Sequence, residues 1–172
     1  MSYELNIKGF LSKFKTAARS YLFYMEPRIP GGVEGVENQG VYLVKSTSLP
    51  SSNFDDITAS WQGFDFKTPG KRIYDTWNVS FNVDLNANIR KAFAAWQNRI
   101  LDPAFNQTSL PETYMMDQKV VLLGINLQPI MSYTMVQAYP SAVAEIALDY
   151  TDSNFASFDV TFTYQYFTTA NS

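Results

Sequence analysis

Carboxylates are the side chains on which any catalysis by this chain would depend. The 172 residues include no histidine and no cysteine, so the commonest general base and all thiolate metal ligands are missing. One adjacent acidic pair, Asp55-Asp56, follows a Pro-Ser-Ser-Asn turn and precedes an alternating segment. Paired carboxylates hydrolyse glycosides only across a cleft, and neighbours on an extended chain point apart. The pair is therefore interpreted as solvated turn residues.

No other group of residues predicts an active site or a bound cofactor. Asp84 and Glu145 are far apart along the chain, and nothing in the sequence brings them together. The glycines at 31, 32 and 35 are not followed by the Gly-Lys-Ser/Thr of a phosphate-binding loop. We expect a protein that is not an enzyme and that has no metal and no cofactor.

Low charge and abundant tyrosine favour a surface that is buried against other subunits. Only 17% of residues are charged, and 11 are tyrosine, whereas an ordinary domain has about 25% charged residues. Tyrosine is well suited to interfaces, so we expect assembly with copies of the same chain. The remote alternative is a monomeric sugar-binding β-sandwich. The aromatic residues that could serve either role are Tyr3, Tyr24, Tyr42, Tyr114, Tyr133 and Phe167.

The net charge of −3 argues against a nucleic-acid reader with a basic patch. No apolar run approaches the roughly 20 residues that span a bilayer. The first ten residues lack the apolar core of a signal peptide, so we expect synthesis in the cytoplasm and no membrane insertion. Glycosylation patterns at Asn78 and Asn106 are then without consequence.

The first third of the chain predicts a short helix followed by extended segments. Ile7, Phe10, Leu11 and Phe14 recur at helical spacing, and we expect this amphipathic helix to dock on the protein's own sheet. Residues 21–25 and 41–48 are predicted as strands, and residues 28–38 as the loop between them.

A projecting hairpin is predicted between residues 49 and 70. Ile57, Ala59 and Trp61 alternate with polar residues, Gly63 permits a turn, and Phe64 and Phe66 continue the alternation.

The middle of the chain predicts one further strand and one helix. Residues 77–83 alternate strictly between apolar and polar side chains, which indicates a half-buried antiparallel strand. Ile89, Phe93, Trp96 and Ile100 form one stripe of a helix over residues 87–101. Residues 103–114 are predicted as a long polar loop.

Four more strands are predicted over residues 119–125, 132–139, 145–150 and 158–166. The fold class is therefore mainly β. We expect an antiparallel β-sandwich or barrel with one or two flanking helices, forming one domain over residues 1–172.

The order of these segments resembles the tail tube proteins of contractile-tailed (T4-like) bacteriophages. The resemblance extends from about residue 21 to residue 166 and lies in seven short matches, each weak alone, that occur in one order. In chain order the main matches are Ser48-Leu49-Pro50; Gly70, Arg72, Tyr74, Asp75 and Trp77; the strand over 79–84; Phe93 and Trp96; Tyr139-Pro140-Ser141; the segment 145–150; and the strand over 158–162. Lys71 departs from the family, which often has an acid there, and the loops 28–38 and 103–114 are longer than usual.

The resemblance implies a structural subunit whose hexameric rings stack into a hollow tube. Strands of six subunits would join into one ring-wide barrel that passes DNA without binding it specifically. The implied partners are further copies of the chain and the sheath, tape-measure and baseplate proteins, and the implied location is the virion tail. An inner-tube protein of a contractile injection or secretion system, and a tube initiator or terminator, are the alternatives.

Two sets of residues are candidates for the surfaces of such a tube. The candidate contacts between rings or subunits are Leu49, Pro50, Asn53, Asp55, Asp56, Arg72 and Asp75. The candidate lumen-facing residues are Asn78, Ser80, Asn82, Asp84, Asp159, Thr161, Thr163 and Gln165. The second set contains no lysine or arginine, so a polar, net negative wall is expected. Which of the two polar strand faces points inward is left open by the sequence.

Overall fold

A computed structural model describes residue 7 and residues 18–31, 36–105, 107–151 and 153–171. The described chain is mainly antiparallel β. Its strands are β1 (Phe23–Glu26), β2 (Val44–Thr47), β3 (Ser52–Trp61), β4 (Phe64–Tyr74), β5 (Trp77–Asn82), β6 (Leu101–Asp102), β7 (Gln107–Thr108), β8 (Met116–Leu123), β9 (Pro129–Val143), β10 (Ser157–Thr163) and β11 (Tyr166–Asn171). Its helices are α1 (Val36–Leu43), α2 (Asn88–Ile100) and α3 (Pro111–Tyr114).

Strand β9 joins two groups of strands, because its two halves have different partners. Its first half lies between β8 and β11, and β1 adds to the far side of β8. Its second half pairs with β10, which continues through β5 to β2. We call this second group, in the order β9–β10–β5–β2, the four-stranded sheet.

Helix α2 covers one face of the four-stranded sheet with aromatic side chains. Phe93 lies 5.1 Å from Phe81, measured between ring centroids, and 6.0 Å from both Phe158 and Phe162. Trp96 is also buried, and its indole N–H donates to the carbonyl oxygen of Tyr114 at 2.7 Å. This layer removes several large apolar surfaces from water, at about 25 cal/mol per Å².

A buried glutamine ties the chain beyond β1 to strand β8. The backbone N–H of Arg28 donates to the Gln118 side-chain oxygen at 3.0 Å, and the Gln118 amide N–H donates to the Arg28 carbonyl oxygen at 2.6 Å. The Gln118 side chain therefore extends the strand pairing past the end of β1. It is fully buried, so its polar atoms depend on these two partners.

Several predicted elements are confirmed. The hairpin forms from β3 and β4, the alternating strand is β5, and the aromatic-striped helix is α2. The inward face of β5 is buried at Trp77, Val79 and Phe81, as the alternation predicts. Strand β9 covers the segment predicted at 132–139, whereas β8 ends at Leu123, two residues before the end of the segment predicted at 119–125.

The predicted strand over residues 41–48 is wrong in its first half. Helix α1 extends to Leu43, and only Val44–Thr47 is strand. Gly40 disfavours a helix by its propensity, but here it is buried against Pro27. A β-carbon at position 40 would lie 2.6 Å from the Pro27 ring, so close packing explains a glycine that looks like a loop residue in the sequence.

The predicted strand over residues 145–150 is also wrong, because this segment is irregular. The carboxylate of Asp149 accepts hydrogen bonds from the backbone N–H and the hydroxyl of Thr151 at 2.9 and 2.8 Å. Such local turns compete with strand pairing. Leu148 and Tyr150 are left exposed.

Three further boundaries differ from the sequence prediction. Strand β9 continues through Pro140, which pairs with Phe162 beside a register shift, a position where a missing N–H is tolerated. The strand predicted over 158–166 breaks at residues 164–165 into β10 and β11. The predicted loop 103–114 contains β7 and α3. The predicted N-terminal helix lies outside the described residues except for Ile7, which is helical and exposed.

We expect Gln118→Leu to destabilise the fold by about 2–3 kcal/mol, because it leaves the backbone N–H and C=O of Arg28 without their partner. The measurement is the urea midpoint of the unassembled chain. The matched control is Gln128→Leu at an exposed turn position, expected within about 0.5 kcal/mol of the original chain. Equal midpoints for the two variants would contradict the role of the glutamine.

Candidate assembly surfaces

The base of the hairpin is fixed to the body by hydrogen bonds to one carboxylate. The Ser51 hydroxyl and the Asn53 amide donate to the same oxygen of Asp75, at 2.8 and 3.0 Å. Arg72 donates from Nε and Nη2 to the Ser52 hydroxyl oxygen at 3.1 and 2.9 Å. These contacts join the two strands of the hairpin across its first residues.

Arg72 also lies among three aromatic rings. Its guanidinium carbon is 5.6 Å from the Phe54 ring centre, 5.2 Å from that of Tyr74 and 5.7 Å from that of Phe167. Cations are attracted to ring faces at these distances. Tyr74 in turn packs edge-on against Tyr164 and Phe167, so the rings connect the hairpin to β11 and the chain before it.

The burial of Tyr164 shows that this aromatic cluster is partly shielded from water. Its side chain is buried, and desolvation raises the pKa of the phenol above its usual value, with smaller contributions from the charge of Asp75 and from Tyr74. The phenol therefore stays neutral at all ordinary pH values. The hairpin base is therefore partly shielded from water.

Beyond this base the hairpin has one apolar face and one polar face. Residues paired directly across two strands share a face, and the pairs Ile57–Thr68, Ala59–Phe66 and Trp61–Phe64 make one side almost entirely apolar. The other side carries the pairs Asp56–Pro69, Thr58–Lys67 and Ser60–Asp65. The apolar side chains stay in water, since Trp61 is 75% and Phe64 71% exposed.

Local backbone geometry explains the turn at the tip of the hairpin and the bulge nearer its base. Gln62 and Gly63 both have positive φ, 49° and 82°, which matches a two-residue hairpin turn. The pairing shifts register between Phe54 and Asp56. There Gly70 passes so close that a β-carbon would lie 2.9 Å from the Ile57 side chain and 3.0 Å from the Asp55 carbonyl oxygen, and this close approach favours glycine.

The residues predicted as contacts all lie along the lower hairpin or just before it. Asp56 forms an ion pair with Lys67 at 3.7 Å. Arg72 and Asp75 do not pair with each other among the described residues, and each is engaged within the hairpin base as described above. The remaining predicted contacts, Leu49, Pro50, Asn53 and Asp55, are exposed or half-buried. The sequence analysis identified the alternation that marks the apolar upper face, but it did not include these residues among the candidate contacts.

The two predicted polar strand faces lie on one surface. Strands β5 and β10 are paired so that Asp159 lies opposite Ser80, and Thr161 opposite Asn78. The Ser80 hydroxyl donates to the Asp159 carboxylate, and the Thr161 hydroxyl donates to the Asn78 side-chain oxygen at 2.7 Å. This surface is the side of the four-stranded sheet that faces away from α2. We call it the polar face.

Two predicted lumen residues are not strand residues. Gln165 lies in the bend between β10 and β11, and Asp84 follows the end of β5. The Asp84 carboxylate accepts a hydrogen bond from the backbone N–H of Ile89 at 3.1 Å, in the first turn of α2. Asp84 therefore interacts with the first turn of α2. Asn82 and Thr163 occupy the two ends of the strand pairing.

A lysine missed by the sequence analysis also lies on the polar face. Lys45 is at a register shift in β2, and its ammonium donates to the Ser157 hydroxyl at 3.3 Å. The regular strand predicted over 41–48 gave no reason to place the Lys45 side chain on the polar face. The polar face thus carries one cation as well as the carboxylate of Asp159.

At the Asn82 end of the polar face the surface opens into a cleft of about 560 Å³. Lys45, Asn82 and Ser157 line one part of it. Leu148 and Phe155, from the irregular segment before β10, line another part and are 85% and 89% exposed. The cleft is open to solvent on one side.

Among the described residues, no group of three or more carboxylate, histidine or cysteine side chains could hold a metal ion. In the same part of the chain, no helix has the length and apolar character needed to cross a membrane.

The chain thus has a mainly β body with a projecting hairpin, a helix-covered sheet and an open polar face. The chain belongs to the phage tail tube protein family, whose model matches residues 11–170. This family is one of structural proteins. No curated protein matches the chain.

Solved structures of low sequence identity share the fold. The tube-terminating cap of the anti-feeding prophage is 21% identical, with a TM-score of 0.64 over 91% of this chain and 92% of that one. The sheath/tube terminator of the extracellular contractile injection system PVC is 17% identical, with a TM-score of 0.67 over 90% and 96%. A chain of the PVC sheath–tube complex is 16% identical, with a TM-score of 0.64 over 98% and 100%.

We expect the contribution of Asp84 to stability to disappear in acid. Partial burial raises the pKa of Asp84, but backbone hydrogen bonds from Asn88 and Ile89 outweigh it, so the pKa is lower than usual. The ionised form therefore stabilises the fold above the unfolded pKa of about 4, and this is lost as pH falls through the lower folded pKa.

The measurement is the urea midpoint of the unassembled Asp84→Ala variant as a function of pH. At neutral pH the variant should be about 1 kcal/mol less stable than the original chain, and the gap should close in acid as the pH falls through the lowered pKa of Asp84. Asp159→Ala, on the polar face, is the control and should leave α2 unaffected. A gap that stays constant with pH would contradict the ionic role.

Proposed function

We propose that this chain is the repeating subunit of a phage tail tube, and that six copies form a ring whose inner wall is the polar face. The observation that carries the proposal is the four-stranded sheet. One of its sides is covered by α2, the other is polar and open, and it has a strand edge free for pairing on each side.

The two free edges belong to β2 and to the last residues of β9. Within the described residues β2 pairs only with β5, and β9 beyond Ala138 pairs only with β10. Unpaired strand edges invite pairing with another chain. Joining the β2 edge of one copy to the β9 edge of the next is a head-to-tail contact, which closes into a ring.

A ring of six such sheets has the right width for a DNA conduit. Four strands from each of six copies give 6 × 4 = 24 strands. With strands about 4.8 Å apart and tilted by about 40°, this barrel has a diameter of roughly 45–50 Å between backbones. Small side chains on the wall leave room for a DNA double helix.

The chemistry of the polar face suits passage without binding. Ser80, Asp159, Asn78 and Thr161 already bond to one another in pairs across the strands. Phosphate contacts by lysine and arginine supply most of the non-specific affinity for DNA, and the described polar face carries only Lys45, offset by Asp159. The wall is thus polar and close to neutral, within a ring of net charge 6 × −3 = −18.

The hairpin is the proposed contact between rings. It projects from the body, it makes its own two-stranded sheet, and its apolar face has no cover. The tube would lie in the virion tail after synthesis in the host cytoplasm. Its further partners would be the sheath, which it would template, the tape-measure protein inside it, and the baseplate. No catalytic role and no cofactor are assigned to it.

A tube-terminating protein is the second candidate, because two of the similar structures are a tube cap and a tube terminator. A terminator needs a stacking surface at one end only. The exposed hairpin at one end and the exposed Leu148 and Phe155 of the cleft at the other favour a subunit that repeats. An inner-tube protein of an injection system would have the same surfaces, and finding the chain in DNA-filled particles would distinguish the phage role.

We expect the purified chain to form rings and hollow tubes, and a hairpin variant to form rings only. In this variant an Asn-Gly turn replaces residues 57–68, so the base contacts remain while the apolar face is lost. A hairpin contributes little to the stability of the body it projects from, so folding should persist. Negative-stain electron microscopy counts rings and tubes. The control changes only Gln62→Asn, which gives the same Asn-Gly turn on the full hairpin, and should form tubes. Tubes from the truncated variant would place stacking elsewhere.

We expect Asp159→Lys to retard DNA in assembled tubes, because it adds six lysines to a ring wall and creates salt-dependent phosphate contacts. DNA release from particles carrying the variant should be slowed severalfold at low salt and recover at high salt. The charge-matched control is Glu112→Lys on the exposed helix α3. Unchanged release with Asp159→Lys would show that this face does not meet the DNA.

A further inference from the structure

The hairpin and the cleft lie at opposite ends of the four-stranded sheet. Strand β5 begins at Trp77, three residues after the hairpin ends at Tyr74, and it ends at Asn82. Asn82 pairs with Ser157, and both line the cleft. The six residues of β5 separate the two features by about 20 Å. A second copy placed end to end brings its hairpin to the first copy's cleft.

The hairpin supplies an apolar surface that the described part of its own chain does not cover. Ile57, Trp61, Phe64 and Phe66 are each 58–75% exposed and share one face of the hairpin. Side chains of this size present roughly 500 Å² in total, as large as the largest apolar patch on most monomers. The base described above holds this surface away from the body.

The cleft supplies a matching acceptor. Leu148 and Phe155 point away from their own core, since both are at least 85% exposed. With Ala147 and Ala156 they form the apolar part of the cleft, whose remaining lining is polar and includes Lys45, Asn82 and Asp149. Tyr150 beside them is fully exposed. The alternating pattern of this segment predicts a buried strand, yet of its large apolar residues only Ile146 packs against the core, and Leu148 and Tyr150 stay in water.

We propose that the apolar face of the hairpin docks against Leu148 and Phe155 of a second copy stacked end to end. This inference rests on the proposed function and names the acceptor of the stacking contact. A patch of about 500 Å² is smaller than the roughly 800 Å² per partner of a stable pair, so a single copy would bind weakly. Six contacts formed together between two rings act multivalently and hold the stack.

The absence of cysteine from the chain allows a direct test. The double variant Trp61→Cys with Leu148→Cys is assembled and oxidised, and its chains are separated on a non-reducing gel. The proposal requires a ladder of disulfide-linked chains that rises to long multimers, because each link joins one ring to the next. Each single variant should give at most linked pairs.

The matched control combines Trp61→Cys with Leu127→Cys. Leu127 is 65% exposed and lies in the turn before β9, at the opposite end of that strand from Val143. A ladder with Leu148 and none with Leu127 supports the contact. Tubes that form with the Leu148 pair but give no ladder overturn this inference and leave the proposed function standing. A parent chain that forms neither rings nor tubes overturns both.

A charge variant answers the same question if the cysteine variants do not assemble. Leu148→Asp should form rings but no tubes, since it puts a charge into an apolar contact, whereas Leu127→Asp should form tubes. Because Leu148 is exposed in the unassembled chain, neither variant should lower the urea midpoint. Tubes from Leu148→Asp overturn the proposal.

Discussion

The aromatic layer between α2 and the four-stranded sheet is the constraint on which the other surfaces depend. Phe93 and Trp96 occupy the inner side of the sheet against Phe81 and Phe162. Because side chains on a strand alternate between two sides, burying this side fixes every intervening polar residue on the other. A slip of one residue would place serine and asparagine in the core, so register and surface chemistry are determined together.

Regular periodicity made much of this fold predictable. Strict alternation in β5 and the 3.6-residue stripe of α2 gave both elements and their buried faces. The sequence also supplied the polar residues of β5 and β10, but it could not show that they share one surface, because that follows from strand pairing between segments about 80 residues apart. Lys45 was not predicted on the polar face for a similar reason, since its position depends on a register shift in β2.

The errors occurred where a local contact overrides a pattern. Gly40 looks like a loop residue until its close packing on Pro27 is known. Residues 145–150 alternate like a strand, but the side chain of Asp149 folds onto Thr151, and none of the strands in the described residues pairs with this segment. The sequence also could not predict that the apolar face of the hairpin is exposed. Alternation identified its two faces, whereas a buried and an unburied apolar face read alike in a sequence.

The short connection between the hairpin and β5 has a mechanical consequence. Only Asp75 and Thr76 separate the end of β4 from the start of β5, so tension applied to the hairpin passes directly into a central strand of the sheet. Strand β5 is paired with β10 over six residues and with β2 on its other side. A pull along the strand loads all of these hydrogen bonds at once in shear, whereas a pull across it would open them one at a time. The body is therefore strongest against stretching along β5.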